Sequence, residues 1–256
     1  LLRCALEAGV AVESVYVDAE AGPDRFLDEL LAAAHAAGAR VFTLLPGVLA
    51  RAADTVTPQP VVSIVAMVDR PLAALDLGTF VLVLADVRDP GNAGTIVRSA
   101  DAAGASAVVF AGTTVDLYNP KTVRSSAGSL FHVPVAVAQT LDEALAVVAL
   151  AGLGSVGTSV REGTDYTEFD WSQPFALVLG NEAAGLPVEA LARLDHETVI
   201  PMAGRAESLN VAVAASVLSF EALRQRRHGA VPEAPPPSST MPAVSSAPTT
   251  EAEPGS

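Results

Sequence analysis

The sequence holds a single cysteine, Cys4, and a single lysine, Lys121, in 256 residues. One cysteine excludes an intramolecular disulfide and a thiolate-held metal cluster, so no metal is expected. Long apolar runs are missing too. None approaches the roughly 18 residues needed to cross a bilayer, and the densest are broken by Gly, Pro or Asp. No secretory leader opens the chain, and a cytoplasmic protein with no membrane partner is the plain expectation. Residue 1 is a leucine inside a helix-like stretch, so a preceding piece of chain is expected as well. Positive charge is scarce: 15 Lys and Arg against 29 Asp and Glu give a net charge of −14. Phosphate binding depends on Lys and Arg. A uniformly basic surface for nucleic acid is therefore excluded, whereas a local basic patch on an acidic body is not.

Half of the residues are apolar and 17% are charged, which supplies a sizeable core and room for two ordinary domains. Residues 1–70 alternate helix-like segments (2–8 and 24–37) with strand-like ones (15–17, 41–44 and 61–68), as a small α/β domain would. Residues 71–78 read as a linker. A second domain, 79–228, opens with the near-continuous apolar run 80–87 of a buried parallel strand. A helix (95–103) and a strand (107–110) complete a βαβ unit, and strands are expected at 133–138, 155–158, 176–179 and 198–200. Helices are expected at 141–151, 187–192 and 209–226. The last is apolar on nearly every side, which predicts burial in a core or against a second copy, hence a homodimer. Residues 229–256 turn to Pro, Ser, Thr and Ala and are expected to be a disordered tail.

Gly152, Gly154 and Gly157 spell G-x-G-x-x-G. A dinucleotide fingerprint follows a strand and opens a helix, whereas these glycines follow a helix and enter a strand. They read as a helix end and a tight turn.

Three other stretches join a β-like run to a Gly/Asn-rich loop: DPGNAGTIVR (89–98), LGNEAAGL (179–186) and IPMAGRAESLN (200–210). Each alone has an ordinary structural explanation. Arg98 would pair with Asp86 or Asp101 or reach water, Glu182 would favour a helix start, and Ser208 and Asn210 would cap the last helix. In the first stretch, Gly91 and Gly94 allow close approach of backbone, and Asn92 sits on a loop at the carboxyl edge of a parallel sheet, where open α/β folds keep ligands. Arg88, Arg98, Lys121, Arg124 and Arg205 lie in or beside these loops and would form the basic patch if the loops converge.

Taken together, and with YNPKTVRSSAGSLFHVP between the first two, the three stretches resemble the signature motifs of the SpoU (TrmH-like) branch of the SPOUT RNA methyltransferases. The resemblance covers roughly residues 78–227. It implies an α/β fold with a parallel sheet and a C-terminal trefoil knot, an arrangement that general topology rules would not supply. Residues 1–70 resemble the small ribosomal-protein-like RNA-binding domain that often precedes it. The implied activity is methyl transfer from S-adenosyl-L-methionine to a ribose 2′-hydroxyl, with ribosomal RNA favoured over transfer RNA and a homodimer as the working unit. Residue by residue, the resemblance makes Arg98, Asn92, Glu182, Ser208 and Asn210 the catalytic set. The cofactor would lie against Gly180, Ile200 and Leu209, with Leu179, Met202 and Asn210 as neighbours. Arg88, Lys121, Arg124 and Arg205 would meet RNA. Ala183 departs from the family pattern, which commonly has glycine there.

Two rivals remain at this level. A Rossmann-type NAD(P) oxidoreductase would use the βαβ unit and Asp116, 22 residues after Gly94, but needs a third glycine that GNAGTI lacks. A non-catalytic RNA-binding protein would have no need of the polar set.

Overall fold

The structure, a computed structural model, describes residues 1–52, 59–160 and 162–229. The tail expected to be disordered lies, from residue 230, outside the described residues. Two sheets with separate cores are present. The N-terminal part runs α1 (Leu2–Glu7), β1 (Val12–Asp18), α2 (Arg25–Ala36), β2 (Arg40–Leu44), α3 (Val48–Ala52) and β3 (Val61–Val65). Strand β1 is central, parallel to β2 and antiparallel to β3. Asp24 begins α2 by accepting the Phe26 N–H at 2.9 Å. Ala34, Leu30 and Leu31 then pack with Val12 and Val15 on one face of the sheet. The other face leaves Phe42, Val62 and Ile64 exposed, with the Tyr16 ring stacked on Phe42 at 5.4 Å.

Strand β3 stops at Val65, short of the expected residue 68, because the backbone beyond it is claimed by the second unit. The N–H groups of Val68 and Asp69 both donate to the Tyr118 hydroxyl, at 2.8 and 2.9 Å, and that hydroxyl donates in turn to the Asp69 carboxylate. Arg70 N–H donates to the Val135 carbonyl at 2.9 Å. Residues 71–78 are therefore no free tether: a 3-10 turn (Leu72–Ala74) and the buried Leu72, Leu75 and Leu77 belong to the second core. Near by, α1 sits so close to Gly128 that a Cβ there would lie 2.5 Å from Cys4 Sγ.

The second unit runs β4 (Phe80–Ala85), α4 (Pro90–Ala103), β5 (Ala107–Ala111), α5 (Pro120–Ser125), a 3-10 turn (Ser129–Phe131), β6 (Val135–Ala138) and α6 (Leu141–Leu150). It continues with β7 (Gly154–Ser159), β8 (Thr164–Asp165), β9 (Phe175–Leu179), α7 (Val188–Leu191), β10 (His196–Val199) and α8 (Val211–Gly229). The strands form one sheet in the order β6-β5-β4-β9-β7-β10-β8, parallel at every pairing. Besides α3 and the 3-10 turns, two elements of this unit, α5 and β8, were not legible in the sequence. One is short and polar, and the other is two residues long.

The continuous apolar runs reflect burial on both faces. Phe80, Leu82 and Leu84 of β4 join Leu177 of β9, Ile96 and Val97 of α4 and Leu218 of α8 in one core. Val81 and Val83 point the other way and join Val178, Ala144 and Val148 with the 3-10 turn in a second. Helix α8 lies against α4, where the Ser99 and Ser216 hydroxyls meet at 2.7 Å. Its far end is stapled by Arg226, whose guanidinium lies over the rings of Phe80 and Phe175 and donates to the Thr79, Trp171 and Gln173 carbonyls. The helix is not enclosed on all sides: Val213 and Phe220, with Leu209 just before it, form a partly exposed apolar stripe. The G-x-G-x-x-G glycines behave as read. Gly152 ends α6 with φ +74°, and Gly154 and Gly157 lie within β7.

Candidate active site

Strand register brings the three motif stretches to one edge. β4 and β9 pair from Phe80 with Phe175 to Leu84 with Leu179, so they end level and place residues 86–92 beside 180–186. β7 separates β9 from β10, and the third stretch leaves the sheet after Val199. All three depart from the carboxyl ends of parallel strands, where ligands of open α/β sheets bind.

Helix α4 starts earlier than expected. Asp89 caps it by accepting the Asn92 N–H at 2.9 Å, and Pro90 occupies the first position. Asn92 thus stands in the first helical turn and not on a free loop. Its Nδ2 donates to Glu182 Oε1 at 3.1 Å, and its Oδ1 accepts from Asn210 Nδ2 at 2.9 Å, an amide orientation that follows from this network. Glu182, Asn92 and Asn210, one from each motif, are therefore joined in a single hydrogen-bonded chain. Glu182 also accepts the N–H groups of Asp89 at 2.9 Å and Arg88 at 3.2 Å. Partial burial pushes its carboxyl up, and the hydrogen bonds from Asp89, Asn92 and Arg88 outweigh this to hold it below the usual range. Asp89 is lowered as well, chiefly by the Asn92 N–H and further by Lys121, whose Nζ lies 3.2 Å from its carboxylate. An anionic cap stands where a dinucleotide's pyrophosphate would meet the helix N-terminus, which removes the physical basis of the oxidoreductase reading.

Asn210 is the cap of α8: its Oδ1 accepts the N–H groups of Ala212 and Val213. Ser208, expected to share that role, makes no hydrogen bond among the described residues. The second motif is locked on itself. Asn181 and Gly185 exchange backbone hydrogen bonds at 3.1 and 2.8 Å, Asn181 Oδ1 accepts the N–H groups of Ala183 and Ala184, and its Nδ2 donates to the Asp86 carbonyl. A Cβ on Gly180 would lie 2.4 Å from the Gly185 backbone. The left-handed residue in this loop is Gly185, and Ala183 is not in that region, so alanine fits there. Gly94 serves packing, not ligand approach: a Cβ there would strike Ser125 Oγ at 2.0 Å and the Thr122 carbonyl at 2.3 Å, across the α4–α5 crossing.

A cavity of about 460 Å³ opens between the second and third motifs and the end of β7. Gly180, Ile200, Met202 and Leu209 line it, as do Glu182 and Ser208. Leu179 and Asn210 do not. The Leu179 side chain is wholly buried in the core, and the Asn210 amide is committed to Asn92 and the helix cap. Arg98 and Asn92 also lie outside the lining. Arg98 is exposed on α4, on the face it shares with Gly91 and Thr95. It pairs with neither acid considered from sequence. Asp101 lies 3.5 Å from His132, and Asp86 accepts from Thr113. Among the described residues the Arg98 guanidinium has no partner, and neither have those of Arg124 and Arg205. Arg88 donates to Thr113 Oγ1 at 3.1 Å, and Lys121 lies against Gly91.

Sequence reasoning missed Asp86, a non-glycine residue at φ +60° whose carbonyl anchors Asn181, and Glu207, which lines the cavity. It also missed the end of β7 and the residue after it, where Thr158 and Val160 form part of the wall without any motif. No group of three or more His, Cys, Asp or Glu among the described residues could hold a metal ion. No helix there is long and apolar enough to cross a membrane.

Residues 79–220 match the family model of the SpoU rRNA Methylase family. The chain is 39% identical over 183 residues, 72% of each chain, to the 23S rRNA (guanosine(2553)-2′-O)-methyltransferase of Bacillus subtilis. It is 36% identical over 238 residues to the 23S rRNA (uridine(2479)-2′-O)-methyltransferase of Streptomyces viridochromogenes, covering 89% of this chain and 81% of that one. Among solved structures, the SpoU methyltransferase AviRb of S. viridochromogenes in complex with the cofactor AdoMet superposes with a TM-score of 0.78 at 34% identity, over 89% of this chain and 88% of that one.

Proposed function

The chain belongs to the SpoU rRNA methylase family, and from that membership we propose that it methylates a ribose 2′-hydroxyl of ribosomal RNA, with S-adenosylmethionine as donor. One observation carries the reading: a single hydrogen-bonded chain, Glu182–Asn92–Asn210, ties three sequence-distant motifs together beside a cavity of about 460 Å³.

The cavity suits that donor. Its volume falls in the ~300–1,000 Å³ range of small-molecule sites. Gly180 presents bare backbone, Ile200, Met202 and Leu209 supply apolar contact, and carboxylates suit a cationic ligand. Bound there, S-adenosylmethionine supplies a methyl group already activated by its sulfonium charge. What remains for the protein is to position the attacking oxygen in line and to stabilise its developing negative charge. We assign that work to Arg98. With a pKa of ~12.5 or more an arginine is no general base, but a guanidinium free of other partners can orient the hydroxyl and stabilise the oxyanion. Glu182 is ill suited to accept the proton, since backbone and amide N–H groups already occupy both its oxygens. Its role is to hold the first motif against the second. Asn92 and Asn210 extend that tie to the third, and Ser208 keeps its hydroxyl for substrate.

Four wider assignments belong to the same proposal. Residues 1–70 form a ribosomal-protein-like RNA-binding domain, and 79–228 the catalytic domain. The return of the chain through β10 and α8 onto α4 forms a trefoil knot. Arg88, Lys121, Arg124 and Arg205 contact RNA in the cytoplasm. The Leu209, Val213 and Phe220 stripe is covered in a homodimer, which a stable monomer by light scattering at micromolar concentration would overturn.

The test is transfer of label from tritiated S-adenosylmethionine to ribosomal and transfer RNA, with mapping of 2′-O-methyl sites. Label at a ribose of ribosomal RNA is expected. Arg98→Ala should lower the rate about 100- to 1,000-fold and leave the melting temperature nearly unchanged, since the side chain is exposed and makes no hydrogen bond or ion pair among the described residues. Label on a base, or an Arg98→Ala enzyme of ordinary speed, would refute the reading.

A further inference from the structure

Two carboxylates, Glu182 and Glu207, line the cavity, and among the described lining residues there is no Lys, Arg or His. The two acids differ in state. Glu182 is surrounded by N–H dipoles that offset its field. Glu207 has no hydrogen bond or ion pair among the described residues and stands on a loop, residues 201–209, that makes none either. It is the one uncommitted anion of the described lining.

We propose that Glu207 makes the cavity prefer the methyl donor over the demethylated product, an inference that rests on the S-adenosylmethionine reading above. Donor and product share the adenosine and the amino-acid end. They differ by one methyl group and one positive charge: the donor's sulfonium is permanently cationic, and the product's sulfur is a neutral thioether. A site separates two such ligands only through interactions that differ between them. A partnerless carboxylate supplies one, because its attraction acts on the sulfonium and vanishes once the methyl has left. Glu207 thus favours donor entry and product departure, without touching the chemistry at the ribose. Because the loop is not tied by hydrogen bonds among the described residues, the side chain can approach the ligand at little structural cost.

Calorimetric titration of the full chain with three ligands tests this: S-adenosylmethionine, S-adenosylhomocysteine, and sinefungin, which carries an amine where the donor has its sulfonium methyl. The exposed, isosteric Glu207→Gln should weaken both cationic ligands about fivefold, the size of a solvent-screened ion pair, and leave S-adenosylhomocysteine within about twofold on the same scale. Glu207→Asp should recover part of the loss, and added salt should narrow the wild-type gap between donor and product. Equal weakening of all three ligands by Glu207→Gln, or no weakening of any, overturns the assignment. Failure of the wild-type chain to bind any of them is a different result and removes the methyltransferase reading itself.

Discussion

The two loops that line the cavity are held in opposite ways. Residues 180–186 are tied by backbone exchange between Asn181 and Gly185, by the Asn181 side chain on Ala183, Ala184 and Asp86, and by Glu182 on the first motif. Residues 201–209 make no hydrogen bond among the described residues until Asn210 begins α8. Two of their glycines differ in the same sense: Gly180 has no room for a Cβ, and Gly204 has open space around it. One wall of the site is thus shaped before any ligand arrives, and the other is left to form contacts with it. A preformed wall costs no ordering on binding, whereas an untied wall can admit the ligand and close on it.

The sharpest way to break this contrast is Gly180→Ala. The added methyl would meet backbone at 2.4 Å, which cannot swing aside as a side chain would. A loss of about 3 kcal/mol or more, as for a severe overpacking change, is expected in chemical denaturation, together with loss of donor binding in calorimetry. Near-normal stability would mean that the second motif is less rigid than its hydrogen bonds imply. Glu182→Gln comes next, because it replaces a charged acceptor facing N–H groups with a neutral amide. We expect a loss of about 1–2 kcal/mol at neutral pH and slower methyl transfer.

The same variant should alter the acid limb of stability. A carboxyl whose folded pKa is depressed contributes stability above its unfolded value, about 4.3 for Glu, and that contribution disappears as pH falls through the folded value. Glu182 and Asp89 are both depressed. The wild type should therefore weaken below about pH 4, and Glu182→Gln should weaken less over the same window. Parallel acid limbs for the two proteins would remove Glu182 as the clamp. The smallest effect is expected from Gly204→Ala, which meets nothing within 4 Å. Its melting temperature should stay within about 1 °C of wild type, as for an ordinary surface change. A large drop would show that the third motif is as tightly constrained as the second.

Much of this was legible in advance, for identifiable reasons. The apolar run at β4 announced a strand buried on both faces, and both faces are covered. Asn92, Glu182 and Asn210 were visible as polar residues in the motif loops or at a helix start, and they proved to be one network. Gly94 illustrates the limit. Its sequence context suggests ligand contact, while its surroundings are another helix. The first-motif loop was misjudged because a proline at the first helical position and a capping aspartate extend α4 back to Pro90. Residues 71–78 were read as a linker on the strength of Pro71 and mixed polarity, yet Leu72, Leu75 and Leu77 within them are absorbed by the second core.

Local patterning, by itself, determined most of the strands and helices, and several of the polar residues at their ends, because those choices depend largely on neighbours a few positions away. Only the folded chain decided that β9 slots beside β4, that Glu182 reaches Asn92, that Asn92 reaches Asn210, that Arg98 has no partner among the described residues, and that Glu207 lines the cavity. Those pairings join residues some 90 to 118 positions apart, and no short-range rule connects side chains over such distances until the sheet is assembled.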